Sequence, residues 1–142
     1  MIVVDTSVWA SALLEGDAHF QQSAIWYQTY TSGSRRIHFP MLVIPELAGA
    51  LARSGAQVTV IAEEINRIAQ LPTVHLHDLD FTNSLLAARV SSSTGMKGAD
   101  AVFVALATWL AVPLVTWDKQ QRERGALFCR TMTPVEAMEM AE

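Results

Sequence analysis

Met1-Ile2-Val3-Val4-Asp5-Thr6-Ser7-Val8-Trp9 opens the chain, and the fold turns on how it is read. Met1 to Val4 is apolar without a break, and Asp5 closes the run. A short continuous apolar run is the pattern of a strand buried on both faces of a parallel sheet; a half-exposed strand would alternate. Thr6 and Ser7 can cap a helix from about Val8 to Leu14. A buried strand that ends on an acid and passes straight into a helix puts that acid at the carboxyl end of the sheet, where ligands gather in open α/β folds.

The rest of the chain keeps the alternation. A second helix is expected over Ala18 to Tyr30, stopping near Gly33, and a strand over Arg36 to Phe39. Leu42 to Arg53 reads as a helix with Pro45 in its first turn, where a missing N–H is tolerated. Val58 to Leu71 is amphipathic, with Val58, Ile61, Ile65, Ile68 and Ala69 opposite Glu63, Glu64 and Arg67. Thr73 to His77 is a third strand. Phe81 to Ser92 is a helix with Leu85, Leu86 and Ala88 as apolar positions. Ala99 to Ala111 is apolar nearly all round, which marks a buried helix. Leu114 to Trp117 is a fourth strand, Lys119 to Arg124 a short charged helix, and Leu127 to Arg130 a fifth strand. Thr133-Pro134-Val135-Glu136 carries a helix-start signature. The pattern implies an α/β fold whose parallel sheet of four to five strands is covered on both faces.

A chain of 142 residues is most simply one domain, 1–142, and 51% hydrophobic residues supply a core. The longest apolar stretch, Ala101 to Val115, contains Thr108 and Pro113 and falls short of a bilayer span. The start lacks the basic patch of a secretory signal. A single cysteine, Cys129, leaves no internal disulfide and no cysteine-based zinc site. A soluble, cytoplasmic protein without membrane contact is the expectation. Net charge is −4, which disfavours polyanions in bulk. Arg35-Arg36, Lys97, and Lys119 with Arg122 and Arg124 form local basic clusters; their ordinary reading is solvated surface, and Arg35, Arg36, Lys97 and Lys119 are the candidates for contact with a polyanion.

Four acids stand alone at the edge of, or inside, apolar segments: Asp5, Glu46, Asp100 and Asp118. Burying a carboxylate is costly unless something positive compensates it. Each has an ordinary reading: Asp5 as a helix cap, Asp100 as a favourable first-turn acid, Asp118 as a turn residue. Glu46 resists one, because its helix has almost no polar face. Jointly they point to one compensating object, a divalent cation. Such an ion lowers the pKa of a water to make a nucleophile and stabilises a departing oxygen, which is phosphodiester chemistry. Thr6, Ser7 and Thr116 lie beside Asp5 and Asp118, where they can orient a carboxylate or a water. Four histidines, His19, His38, His75 and His77, lack ligand spacing for zinc and read as structural or exposed. Trp9, Phe20, Trp26, Tyr27 and Tyr30 read as core or interface rather than as a base-stacking platform.

Four segments carry a family resemblance: Val3-Val4-Asp5-Thr6-Ser7-Val8-Trp9, Pro45-Glu46-Leu47, Gly98-Ala99-Asp100-Ala101-Val102-Phe103-Val104-Ala105-Leu106-Ala107, and Leu114-Val115-Thr116-Trp117-Asp118. In this order the chain resembles a PIN-domain protein, and more narrowly the VapC-type toxins of bacterial and archaeal toxin–antitoxin pairs. The resemblance implies a three-layer α/β/α fold and endoribonuclease activity dependent on Mg2+ or Mn2+. It matches Asp5, Glu46, Asp100 and Asp118 to the catalytic, metal-binding acids, and Thr6-Ser7 and Thr116 to the supporting hydroxyls. It also implies a homodimer and a small cognate antitoxin, for which Trp9, Leu13, Trp26 and Tyr30 are the candidate groove residues. The chain departs from the pattern in its net negative charge and in the bulk of Trp117. Two other functions use parts of the same set. A receiver-like phospho-signalling domain would take Asp78 or Asp80 as acceptor but finds Lys119 misplaced. A non-catalytic PIN scaffold would bind RNA or protein without cutting.

Overall fold

The computed structural model describes residues 1–140. Five strands form one sheet: β1 (Ile2–Val4), β2 (Ile37–Pro40), β3 (Val74–His77), β4 (Leu114–Val115) and β5 (Thr131–Met132). All pairings are parallel, in the order β3-β2-β1-β4-β5. The helices are α1 (Thr6–Leu13), α2 (Phe20–Ser32), α3 (Val43–Arg53), α4 (Val58–Gln70), α5 (Phe81–Thr94), α6 (Gly98–Leu110), α7 (Lys119–Gly125) and α8 (Pro134–Glu139). The three-layer α/β/α architecture and its parallel sheet agree with the sequence expectation. β1 sits at the centre because Ile2, Val3 and Val4 can be buried on both faces. The chain builds outward through β2 and β3, then returns to the other side of β1 for β4 and β5. The crevice between the carboxyl ends of β1 and β4 is therefore the topological switch point.

α6 is the central packing helix, with every residue from Ala101 to Ala107 buried. Its C-cap, Ala111, takes a left-handed conformation at φ 53°. α8 begins with the expected capping box: Thr133 and Glu136 each hold the other's backbone N–H.

Several local expectations are corrected. Asp5, not Thr6 or Ser7, caps α1, accepting from the Ser7 N–H at 2.9 Å, so the helix starts two residues early. The fifth strand is Thr131–Met132 rather than Leu127 to Arg130. Leu127 is 77% exposed, because Phe128 and Cys129 still close a turn onto the Gly125 carbonyl. α5 buries Asn83, Ala87 and Val90, whereas Leu85 is exposed. The small Ala87 lets α5 lie close to α6, and that contact outranks leucine count. On α4 only Ile68 is fully buried, and Val58 faces solvent.

The aromatic residues of α1 and α2 are core. Trp9 packs edge-to-face on Trp26, Tyr27 and Phe39, with ring centroids 5.0–6.0 Å apart. Trp9, Trp26 and Tyr30 are fully buried, and the Tyr30 hydroxyl donates to the Ala137 carbonyl at 2.9 Å. Trp9 and Trp26 therefore do not form the groove expected of them; Tyr30 only edges a pocket beside Met1 and Arg35, and of the four residues named only Leu13 is partly exposed.

Candidate active site at the switch point

Asp5 leaves the carboxyl end of β1 and is 7% exposed. Its backbone N–H donates to the Val115 carbonyl, so the strand pairing itself fixes where the carboxylate starts. Oδ2 accepts from the Ser7 N–H at 2.9 Å and from the Thr116 hydroxyl at 3.3 Å. Oδ1 accepts from the Gln121 amide at 3.3 Å. The second crevice wall follows β4. Buried Thr116 also accepts from the Asp118 N–H at 3.0 Å, and Ser7 Oγ accepts from the Trp117 N–H at 3.2 Å. The Ser7 and Thr116 hydroxyls stand 3.4 Å apart. The Thr116–Asp5, Trp117–Ser7 and Ser7–Thr116 links hold the β1 and β4 exits together. Trp117 turns away from the acids: it stacks on His19 at 4.0 Å, and its indole N–H donates to Ser23 Oγ at 2.7 Å.

Asp118 caps α7 by accepting from the Gln121 N–H at 2.7 Å. Asp100 lies in the first turn of α6, and Glu46 in the first turn of α3. Glu46 Oε2 accepts from the Thr6 hydroxyl at 2.6 Å. All four acids, with Thr6 and Ser7, line one cleft of roughly 410 Å3, together with Ala10, Pro45, Ala50 and Arg53. Four elements far apart in sequence therefore deliver carboxylates to a single opening.

The electrostatics show the cost of that assembly. Burial pushes the Glu46 carboxyl above its ordinary value, Asp5 and Asp100 push it further, and the Thr6 hydrogen bond opposes them. Asp100 is raised by burial, then by Asp5 and Asp118, with Lys97 pulling the other way. Both shifts are what a carboxyl suffers when it is buried first and then set beside uncompensated like charge.

The donor set is all oxygen, which suits a hard divalent cation. Among the described residues no three His, Cys, Asp or Glu side chains converge tightly enough to cage an ion alone. That geometry still fits magnesium, which takes one or two carboxylates directly and keeps several waters. The same result leaves His38, His75 and His77 without a metal cage. His38 Nδ1 and His77 Nε2 instead share a hydrogen bond at 2.8 Å, and His38 stacks on His75.

The basic residues divide. Lys97 lines an adjoining pocket with Asp100 and Asp118. Lys119 sits on the first turn of α7 and pairs with Glu123 at 3.7 Å. Arg35 and Arg36 precede β2, at the amino end of the sheet, and Arg35 lies over the Tyr30 ring. The fold does not bring these two arginines to the cleft.

Sequence reasoning assigned no role in the site to three residues, of which it named Arg122 as one of a basic cluster and Arg53 as a helix end. Gln121 is 1% exposed and bridges Asp5 Oδ1 to the Asp100 carbonyl at 3.1 Å. Arg122 donates to the Trp117 carbonyl at 2.9 Å and to that of Thr116 at 3.3 Å, bracing the loop that carries Asp118. Arg53 stands in the cleft wall. Helical spacing was the available signal: Gln121 follows Asp118 by three residues and Arg53 follows Glu46 by seven, so each shares its acid's face.

A parallel α/β sheet with an acidic cleft at its switch point defines a class of protein, and the sequence defines the family within it. A PIN domain model matches residues 2–127, and the chain belongs to the PIN-domain family. Solved structures share its fold. VapC20 of Mycobacterium tuberculosis, a sarcin–ricin loop cleaving toxin, aligns with a TM-score of 0.75 at 19% identity, covering 88% of this chain and 95% of that one. FitAcB from Neisseria gonorrhoeae gives 0.70 at 16% identity, covering 95% and 99%. VapBC2 from Rickettsia felis, bound to a promoter DNA fragment, gives 0.67 at 13% identity, covering 94% and 98%. At these identities the likeness is one of fold. No curated protein matches the sequence significantly.

Proposed function

We propose that this chain, as one PIN domain over residues 1–142, is a metal-dependent endoribonuclease and the toxin of a type II toxin–antitoxin pair. The observation that carries the reading is the gathering of Asp5, Glu46, Asp100 and Asp118 into one cleft, with Glu46 and Asp100 each raised from its ordinary value by burial and then by like charge. Carboxylates raised in this way are relieved by a cation, and Mg2+ or Mn2+ fits their oxygens. Bound there, a divalent cation supplies Lewis acidity to a water and to the scissile phosphate. Asp5 is the buried donor, Glu46 and Asp100 are half-buried, Asp118 stands at the exposed rim, and Thr6, Ser7 and Thr116 fix carboxylate orientation. Support for a toxin comes from the family together with structural neighbours that include toxin–antitoxin complexes. The partner is accordingly a small antitoxin, the active form a homodimer, and the place of action the cytoplasm; no helix of the described residues is long and apolar enough to cross a membrane.

A receiver-like function is disfavoured by topology. β3, which precedes Asp78 and Asp80, is an edge strand three places from β4, so an acceptor there stands away from the switch point. Asp80 also serves as the α5 cap, accepting from the Asn83 N–H at 2.7 Å.

The test is incubation of the purified chain with bulk ribosomal and transfer RNA in Mg2+ or Mn2+. Discrete cleavage that EDTA stops, and that Asp5→Asn and Asp100→Asn abolish, is the expected result. Cleavage by both variants at the wild-type rate overturns the site assignment, and RNA binding without cleavage in any divalent ion favours the non-catalytic scaffold.

A further inference from the structure

An acidic cleft repels the polyanion it is meant to cut, and the chain's net charge of −4 adds to the problem. A divalent cation offsets that charge at the scissile phosphate alone, so a fixed basic side chain at the cleft would serve the neighbouring phosphates. Two of the four bases expected to do so lie at the other end of the sheet, Lys119 pairs with Glu123, and Lys97 lines the adjoining pocket rather than the cleft itself.

Arg53 is placed for the task. It ends α3 seven residues after Glu46, which returns it to the same helix face after two turns. Glu46 and Arg53 line the same cleft. Between them lies Gly49, and the Arg53 side chain folds back over it. A Cβ added to Gly49 would stand 3.0 Å from Arg53 Nη1 and 3.9 Å from Cζ. Glycine inside a helix costs about 1 kcal/mol relative to alanine, and here its bare surface is the seat of a guanidinium. Although four carboxylates share the cleft, Arg53 forms no ion pair among the described residues. Glu46 Oε2 is already taken by Thr6. A helix C-terminus favours a cation in general, but that does not account for the fold-back onto Gly49 or for the position in the cleft wall.

We propose that Arg53, seated on Gly49, binds a backbone phosphate of the RNA at the rim of the acidic cleft. The proposal rests on the nuclease reading and names a residue that positions its substrate. The guanidinium fork matches two phosphate oxygens at once, which a lysine ammonium cannot do.

Two measurements on the full chain decide it. The first is fluorescence anisotropy of a short mixed-sequence single-stranded RNA, with Ca2+ as the divalent ion, between about 50 and 200 mM salt. The second is cleavage of bulk RNA in Mg2+. Arg53→Ala is expected to bind about tenfold more weakly, with the dependence of log affinity on log salt shallower by about 0.7. Arg53→Lys keeps the salt slope and recovers part of the affinity. Gly49→Ala, which favours the helix, shifts binding in the same direction as Arg53→Ala by a smaller amount. Unchanged affinity and salt slope in Arg53→Ala, with wild type binding and cutting, overturn this inference and leave the nuclease standing. Wild type that binds without cutting removes the nuclease while the salt slope still judges Arg53; wild type that does neither removes both. A Gly49→Ala variant equal to wild type refutes the seat.

Discussion

The Thr6 hydroxyl donates to Glu46 Oε2 at 2.6 Å, tying the first residue of α1 to the first turn of α3 across forty positions of sequence. The bond opposes the burial that raises Glu46 and so keeps its carboxylate available to a cation. Thr6→Val preserves shape and removes the donor. We expect about a tenfold loss in cleavage rate, recovered by Thr6→Ser, in a time course of RNA cutting. Equal rates for wild type and the valine variant would show that Glu46 needs no such anchor.

Gln121 gives a prediction that separates stability from activity. Its amide N–H groups hold Asp5 and the Asp100 carbonyl, while its Oε1 is buried without a partner among the described residues. Gln121→Leu removes two hydrogen bonds and leaves their acceptors behind, a loss that removal of the unsatisfied Oε1 offsets only in part. The melting temperature should move by only a few degrees, while cleavage falls because Asp5 has lost its brace. Gln121→Glu sets a like charge against Asp5 and should lower the melting temperature clearly. A leucine variant that cuts at full speed would remove Gln121 from the account.

Asp100 predicts an inverted effect. Its carboxyl is raised by burial and by Asp5 and Asp118, so its charge burdens the metal-free protein. Asp100→Asn is therefore expected to melt higher than wild type in EDTA, yet to gain less from added Mn2+, since a ligand stabilises only the state that binds it. Thermal melts with and without the ion give both numbers. An asparagine variant less stable than wild type in EDTA contradicts the strain.

The histidine cluster at the β2–β3 edge sets a pH dependence of its own. Burial, then His77 and His75, lower the His38 pKa from 6.5 to about 4. Between those values the unfolded chain binds a proton that the native state refuses, so stability falls as pH drops through the window and is insensitive to this group above it. His77 shifts in the same direction. Melting temperature followed from pH 7 downward should decline less steeply in His38→Gln than in wild type. Parallel declines would show that His38 is not the titrating group.

Much of this arrangement was legible in the sequence, and the failures have physical causes. Unbroken apolar runs marked β1 and α6, because full burial removes the alternation that solvent imposes. The acids stood out because each interrupts such a run. The tryptophans of α1 and α2 read as core or interface, and the core reading held; the groove implied by family resemblance did not, since Trp9 and Trp26 are needed inside. Strand pairing beside β4, not local propensity, chose Thr131–Met132 over Leu127 to Arg130. Arg35 and Arg36 misled because charge clustering says nothing about which end of a strand a residue occupies. Gln121 and Arg53 sit among solvated-looking neighbours; helical spacing puts each on its acid's face, but it does not say that one is buried under Asp5 or that the other lies over a glycine.

The central claim is that four separated acids form one seat for a hard cation. Mn2+ binding, followed by the loss of its free-ion electron paramagnetic resonance signal, tests it without any assumption about the RNA. Wild type should bind the ion, Mg2+ should compete for it, and Asp5→Asn and Asp100→Asn should each weaken binding by at least about tenfold, the loss of one charge-assisted contact. Binding that is absent in wild type, or equal in wild type and both variants, would contradict the account.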